Sequence, residues 1–242
     1  MKIALIGYGK MGKAIEQLAV NNGHTIVCKF SNPDYPLEDL KTADVAIEFT
    51  QPESAKKNIL NCFSLNIPVV VGTTGWYSDF DEICNYATQN QSSIFYATNF
   101  SLGVNLFFEL NKHLATLMNS YPMYEPVLEE IHHTLKKDSP SGTAITLAEG
   151  ILEHLDRKKT YVNRSEELKE ELHPLELNIV SKRIGEVPGT HSISYQSEID
   201  EIKITHQAYN RMGFATGALK AAEWLLGKKG VYTMSDMLGF KK

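Results

Sequence analysis

The chain has 242 residues, of which 43% are hydrophobic and 22% charged, and a formal net charge of −5. This is an ordinary globular composition, long enough to bury a sizeable core in one large domain or two modest ones. It excludes a broadly basic nucleic-acid-binding surface, and no stretch reaches the roughly 20 apolar residues of a membrane helix. The N-terminal apolar run is too short for a signal peptide. Cys28, Cys62 and Cys84 are dispersed and odd in number, with no metal-ligand spacing, so the expectation is reduced thiols in a cytoplasmic protein with no metal site, no membrane and no nucleic-acid partner.

Taken in chain order, KIALI (2–6) reads as a strand and leads through GYGKMG into a helix, where Met11, Ala14, Ile15 and Leu18 keep helical spacing up to Gly23. HTIVCKF (24–30) is the next strand, which completes a βαβ opening. The alternation goes on with a strand at 44–49, a helix at 53–65, a strand at 67–71, a helix near 79–90 and a strand at 93–97. Continuous apolar strands alternating with helices predict a doubly wound parallel sheet covered on both faces. After a helix near 103–118 the character changes. PVLEEIHH, ELNIVSKRIG, THSISYQSE and EIKITHQAY alternate apolar and polar residues, as strands with one solvated face do. Helical patterns return at 213–227 and 234–238. The expected fold is therefore α/β, a Rossmann-like doubly wound parallel sheet (residues 1–101 and 213–242) plus an α+β domain with a mixed sheet (residues 102–212). Gly103 and Gly213 mark expected hinges.

Gly7, Gly9 and Gly12 spell G-x-G-x-x-G between a strand and a helix. Such a turn brings backbone close to a pyrophosphate at a helix N-terminus. It predicts a dinucleotide site built from Gly7, Tyr8, Gly9, Lys10, Met11 and Gly12. The strand ends at Phe49-Thr50, at Gly72-Thr73-Thr74 and at Thr98-Asn99-Phe100 face the same crevice. No acid closes the second strand, where Lys29, Phe30, Ser31 and Asn32 stand. Lys29 or Ser31 could assist a 2′-phosphate, and the choice between NADPH and NADH stays open.

The second cluster is HHTLKKDSPSGTA (132–144). Ser141 suits an N-cap, and helical spacing runs from Gly142 onward, so the amides of Gly142 and Thr143 are expected to be available to an anion. His132, His133, Lys136 and Lys137 add donors and positive charge, which suits a carboxylate-bearing small molecule. A metal site is disfavoured: the two histidines lack a third ligand at useful spacing, and the lysines repel cations.

HHTLKKDSPSGTA resembles the signature of the 4-hydroxy-tetrahydrodipicolinate reductase (dihydrodipicolinate reductase) family. The resemblance extends through EFTQPE, VVGTTGW, ATNFSLGVNLF, SKRIGEVPGTH and ITHQAYNRMGFATGAL. It implies reduction of a cyclic dicarboxylate by NADPH or NADH in lysine and diaminopimelate biosynthesis, and assembly as a homotetramer through the mixed sheet. Carried over by motif, His132 and Lys136 are the catalytic pair, and His133, Gly142 and Thr143 bind substrate. Gly7 to Gly12, Gly72 to Thr74 and Ala97 to Phe100 bind the cofactor. Ile6 departs from the family's G-x-x-G-x-M-G pattern. Two alternatives remain at this point: another nicotinamide-dependent reductase of an amino-acid precursor, and a dinucleotide-binding protein without catalysis.

Overall fold

The computed structural model describes residues 1–164 and 172–240. The chain divides into two compact units, Met1–Leu102 with Arg211–Lys242, and Gly103–Asn210.

The first unit holds a parallel sheet of β1 (Lys2–Ile6), β2 (Thr25–Phe30), β3 (Val45–Glu48), β4 (Val69–Val71), β5 (Ser93–Tyr96) and β11 (Gly230–Tyr232), in the order β11-β5-β4-β3-β1-β2. Its central strands are largely apolar because alternate residues enter two different cores. Ile3, Leu5, Val45, Ile47, Val70 and Phe95 pack on one face with α1 (Lys10–Asn21) and α6 (Met212–Leu225). Ala4, Ile6, Ala46, Val69, Val71 and Ile94 pack on the other with α2 (Pro52–Ser64) and α3 (Phe80–Gln89). A strand buried on both sides favours apolar residues at successive positions, which is why continuous runs and not alternation mark this sheet, with Glu48 at the end of β3 a buried exception. β11, which periodicity had not predicted, pairs with β5 at the sheet edge. A short helix, α7 (Met234–Leu238), follows it, with a capping box at Thr233 and Asp236.

The second unit holds a mixed sheet in the order β10-β9-β6-β8-β7. Its strands are β6 (Glu125–His132), β7 (Thr160–Arg164), β8 (Glu176–Arg183), β9 (Gly189–Gln196) and β10 (Glu201–Ala208). The β6 neighbours are β8, parallel, and β9, antiparallel. In β6 every second residue is buried, from Pro126 through Leu128 and Glu130 to His132. One sheet face packs its apolar side chains with those of α4 (Leu102–Met118) and α5 (Gly142–His154), in a core that includes Leu128, Leu147, Leu177, Ile179, Ile193 and Tyr195. Glu130 and His132 occupy the same register as Leu128, so two polar side chains lie where the alternation calls for apolar ones.

Candidate active site

In the first unit the β1–α1 turn builds a cradle. Gly7 has φ +96°, and a Cβ there would lie 1.9 Å from the Phe49 carbonyl oxygen. A side chain at Gly12 would meet the Gly7 carbonyl at 2.4 Å. These two glycines let the turn, β3 and the helix close on one another. Gly9 is different: nothing lies within 4 Å of the Cβ position, so its missing side chain leaves open space. Gly9 is the N-cap of α1 and no side chain caps that helix, which leaves its first-turn amides and dipole for an anion.

Two adjoining grooves flank the turn. One, of about 310 Å³, is lined by the Gly7–Gly9 turn, by the β2 end at Phe30 to Pro33, and by Phe49 and Thr50. The other, of about 590 Å³, runs over Gly9, Lys10 and Met11 to Thr50, Gln51 and Gly72, Thr73 and Thr74. Beneath them Thr50 donates its amide to Thr73 Oγ1 at 2.7 Å and its hydroxyl to Glu48, whose carboxylate also accepts from Asn58 Nδ2 at 3.2 Å. Burial raises the Glu48 pKa, against the pull of these donors. The residues fit a dinucleotide: glycine where backbone must come close, a free helix N-terminus, and small polar residues at successive strand ends. Lys29 already has a partner, since its Nζ lies 3.0 Å from Glu16 Oε1 and 4.9 Å from the Tyr8 ring centroid, while Tyr8 donates to Glu16.

In the second unit β6 delivers His132 to the sheet end, and the loop after it is clipped to the β8–β9 connection. Ile184 donates its amide to the His132 carbonyl at 2.8 Å, and Thr134 to the Gly185 carbonyl at 3.1 Å. Ser141 caps α5 by accepting from the Ala144 amide at 3.2 Å. Lys136 Nζ pairs with Asp138 Oδ2 at 2.7 Å.

The centre of this cluster is Glu130, fully buried. Its Oε1 accepts from Ser181 Oγ at 2.8 Å and from both Arg183 terminal nitrogens at 3.2 and 3.3 Å. Its Oε2 accepts from the Ser141 amide at 3.1 Å. The same oxygen lies 3.4 Å from His132 Nδ1 and 3.7 Å from His191 Nε2. Burial alone would raise the Glu130 pKa, but contacts with His191, Ser141 and Ser181 outweigh it and hold the carboxyl well below the usual range. Burial drives His132 down from 6.5 to about 4; Glu130 opposes this, while His191, Lys136 and Arg183 add to it. His132 is thus neutral near pH 7 while Glu130 is charged.

The structure brings His132, the Lys136 loop and the Gly142 end of α5 together around Glu130. His133 stands just past β6, half-buried, and its carbonyl accepts the Lys136 amide at 3.1 Å. Gly142 faces open space, with Thr143 half-buried beside it. The Ser141 amide, one residue before them, donates to Glu130. The grooves take in Gly7, Tyr8, Gly9, Lys10, Met11, Gly72, Thr73 and Thr74, but Gly12 lies underneath. Ala97 and Phe100 are core residues, Asn99 Oδ1 accepts the Ser101 amide at 2.9 Å, and Thr98 is exposed.

Sequence reasoning missed Glu130, and it placed Arg183 and His191 only within the SKRIGEVPGTH stretch, with no role assigned. The available signal was register: Glu130 stands two residues from Leu128 and two from His132, on the buried face of an alternating strand. The fold also supplies the neighbours that spacing denied to His132, since potential ligand atoms of Glu130, His132 and His191 lie within 4.8 Å of one another. Arg183 on the same carboxylate puts a fixed positive charge beside them, so the trio reads as a hydrogen-bond hub and not as a cation site.

Comparison with known proteins agrees along the whole chain. Residues 1–100 match the family model described as dihydrodipicolinate reductase, N-terminus, and residues 103–238 the model described as its C-terminus. A 4-hydroxy-tetrahydrodipicolinate reductase of Christiangramia forsetii is 48% identical over 240 residues, covering 98% of each chain. A protein of the same name from Neisseria meningitidis serogroup C is 36% identical, over 83% of this chain and 74% of its own. In fold the chain is similar to a dipicolinate-bound dihydrodipicolinate reductase from Paenisporosarcina sp. TG-14, with TM-score 0.78, 24% identity, and coverage of 98% of this chain and 99% of that one.

Proposed function

Because the chain belongs to the dihydrodipicolinate reductase family, we propose that it reduces 4-hydroxy-tetrahydrodipicolinate to tetrahydrodipicolinate with NADPH or NADH, in lysine and diaminopimelate biosynthesis. The observation that carries this reading is the cluster around Glu130, which gathers His132, the Lys136 loop and the α5 N-terminus in a chain that matches its relatives end to end. In this reading the first unit holds the dinucleotide and the second holds the cyclic dicarboxylate.

The glycine turn and the α1 N-terminus hold the pyrophosphate, and Thr50, Thr73 and Thr74 hold the nicotinamide end. Bound NADPH or NADH supplies the hydride. His133 and the Gly142 and Thr143 segment at the α5 N-terminus bind the substrate carboxylates. Loss of the 4-hydroxyl as water gives a conjugated imine, and hydride addition to it leaves negative charge on remote ring atoms, which a protonated side chain stabilises and quenches. Lys136 is the proton donor in this reading, since burial lowers the His132 pKa to about 4. His132, next to a carboxylate, accepts and relays protons at its ring nitrogens. Assembly is as a homotetramer through the five-stranded sheet, a reading supported by exposed apolar side chains on and beside β10, Ile199, Ile202 and Tyr209. We place the enzyme in the cytoplasm, where its three free thiols stay reduced.

Steady-state kinetics test the assignment. Wild-type protein oxidises NADPH or NADH only when the dihydrodipicolinate precursor is present, and His132→Gln and Lys136→Ala each lower kcat by about 10²–10⁴-fold with cofactor affinity unchanged. Unaltered turnover in both variants contradicts the assignment. Light scattering at the mass of a single chain contradicts the tetramer.

A further inference from the structure

Three predicted pieces of the substrate half-site, His132, the Lys136 loop and the α5 N-terminus, lie on different elements, and each touches one side chain or its direct partner. We propose that Glu130 is a positioning residue, a single buried carboxylate that selects the His132 tautomer, seats the first turn of α5 and, through Arg183, holds the Lys136 loop. This rests on the reductase reading above and adds to it the group that sets the geometry.

The first limb is the tautomer. Among the described residues the buried His132 Nδ1 has no hydrogen-bond partner, and it faces Glu130 Oε2 at 3.4 Å. A lone pair on Nδ1 would confront a charged oxygen, whereas an N–H there is attracted to it. The proton therefore resides on Nδ1, and Nε2 is left as the acceptor. The other edge of the ring lies over Gly189, where any side chain would approach Nε2 to 3.1 Å. When His132 is protonated, the same carboxylate stabilises the imidazolium, against the opposing charge of Lys136 and Arg183 and the neighbouring His191.

The second limb is the helix. The Ser141 amide donates to Oε2 at 3.1 Å, which fixes the residue whose hydroxyl caps α5 and lies 3.1 Å from His191 Nε2. The third is the loop. Arg183 grips Oε1 and reaches onward from the same guanidinium, with Nη2 2.6 Å from the Asp138 carbonyl and Nε 3.3 Å from the Lys136 carbonyl. A buried carboxylate with this many donors costs desolvation energy, and a purely structural position would be served as well by an apolar residue.

Two variants separate the limbs. Glu130→Gln keeps the shape and an acceptor oxygen but removes the charge. The expected result is loss of the single Nδ1–H tautomer of His132 in ¹⁵N-resolved imidazole NMR of the free protein, a lower His132 pKa, and kcat reduced about 10²-fold or more. NADPH affinity stays within twofold of wild type. Arg183→Gln cuts the bridge to the loop, and is expected to raise the substrate KM and lower kcat while leaving the Nδ1–H tautomer in place. A folded Glu130→Gln protein with the wild-type tautomer and wild-type kcat overturns the proposal. If Glu130→Gln does not fold, Arg183→Gln decides, and wild-type kinetics there overturn it. If wild-type protein reduces no precursor at all, the reductase reading fails by itself, and the tautomer measurement still decides for or against Glu130.

Discussion

Two glycines of one turn do opposite jobs, and substitution separates them. At Gly7 both the φ of +96° and the Phe49 carbonyl 1.9 Å from a Cβ forbid a side chain. Gly7→Ala is expected to cost at least about 2 kcal/mol of stability, read as a lower midpoint in urea. At Gly9 a methyl group meets only empty groove. Gly9→Ala is expected to leave Tm within about 2 °C of wild type while weakening NADPH and NADH binding in a fluorescence titration. Equal effects of both substitutions on stability would refute this division. The same contrast sets the limit of sequence reading at this scale. G-x-G-x-x-G announces a cradle but does not say which glycine faces the ligand. Glu130 is one of two adjacent glutamates in EEIHH, and only strand register tells the buried one from its neighbour. Lys29 looked available until helix α1 placed Glu16 beside it.

Helix α6 shows how closely an element can be fitted to a sheet. It buries Ala215, Ala218, Ala221 and Ala222, so its axis comes near the strands. At Gly217 a Cβ would lie 1.6 Å from the Phe100 carbonyl oxygen. Gly217→Ala therefore pushes the helix off the segment that follows β5, at an expected cost of about 1–3 kcal/mol and a Tm lowered by several degrees. Gly213→Ala is the control in the same helix. Its Cβ would meet only Ser101 Oγ, at 3.4 Å, and stability is expected to hold or to rise by about 0.5–1 kcal/mol. A Gly217→Ala protein as stable as the control would show that the helix has slack. Elements of this kind were legible because their pattern is dictated by burial. Strands buried on both faces read as continuous apolar runs and those with one solvated face as alternations, and α6 reads as a helical pattern. β7 and β11 were not legible. TYVNR and GVY are too short or too polar to carry a period, and they are strands only because β8 and β5 offer free edges.

For the molecule as a whole, two histidines, buried His132 and half-buried His206, shape the response to acid. His132 titrates at 6.5 when unfolded and at about 4 when folded. Between those values the unfolded chain holds a proton that the folded chain refuses, so stability falls as pH drops through this window. His206 is also lowered, chiefly by burial, and acts in the same direction. Glu130, held below its unfolded 4.5, contributes stability above that pH and loses it below. Urea midpoints measured from pH 7.5 down to 4 are expected to decline for wild type, and more gently for His132→Gln. Parallel curves would mean that His132 does not carry the linkage. A last consequence comes from the order of the chain. The first unit takes α6 and β11 from residues beyond 210, so the ribosome releases residues 1–102 long before α6, which shares one face of their sheet with α1, has been translated. The part of that face that α6 covers stays open through the synthesis of about a hundred intervening residues. A circular permutant that makes this tail first would shorten the period in which a chaperone has something to hold.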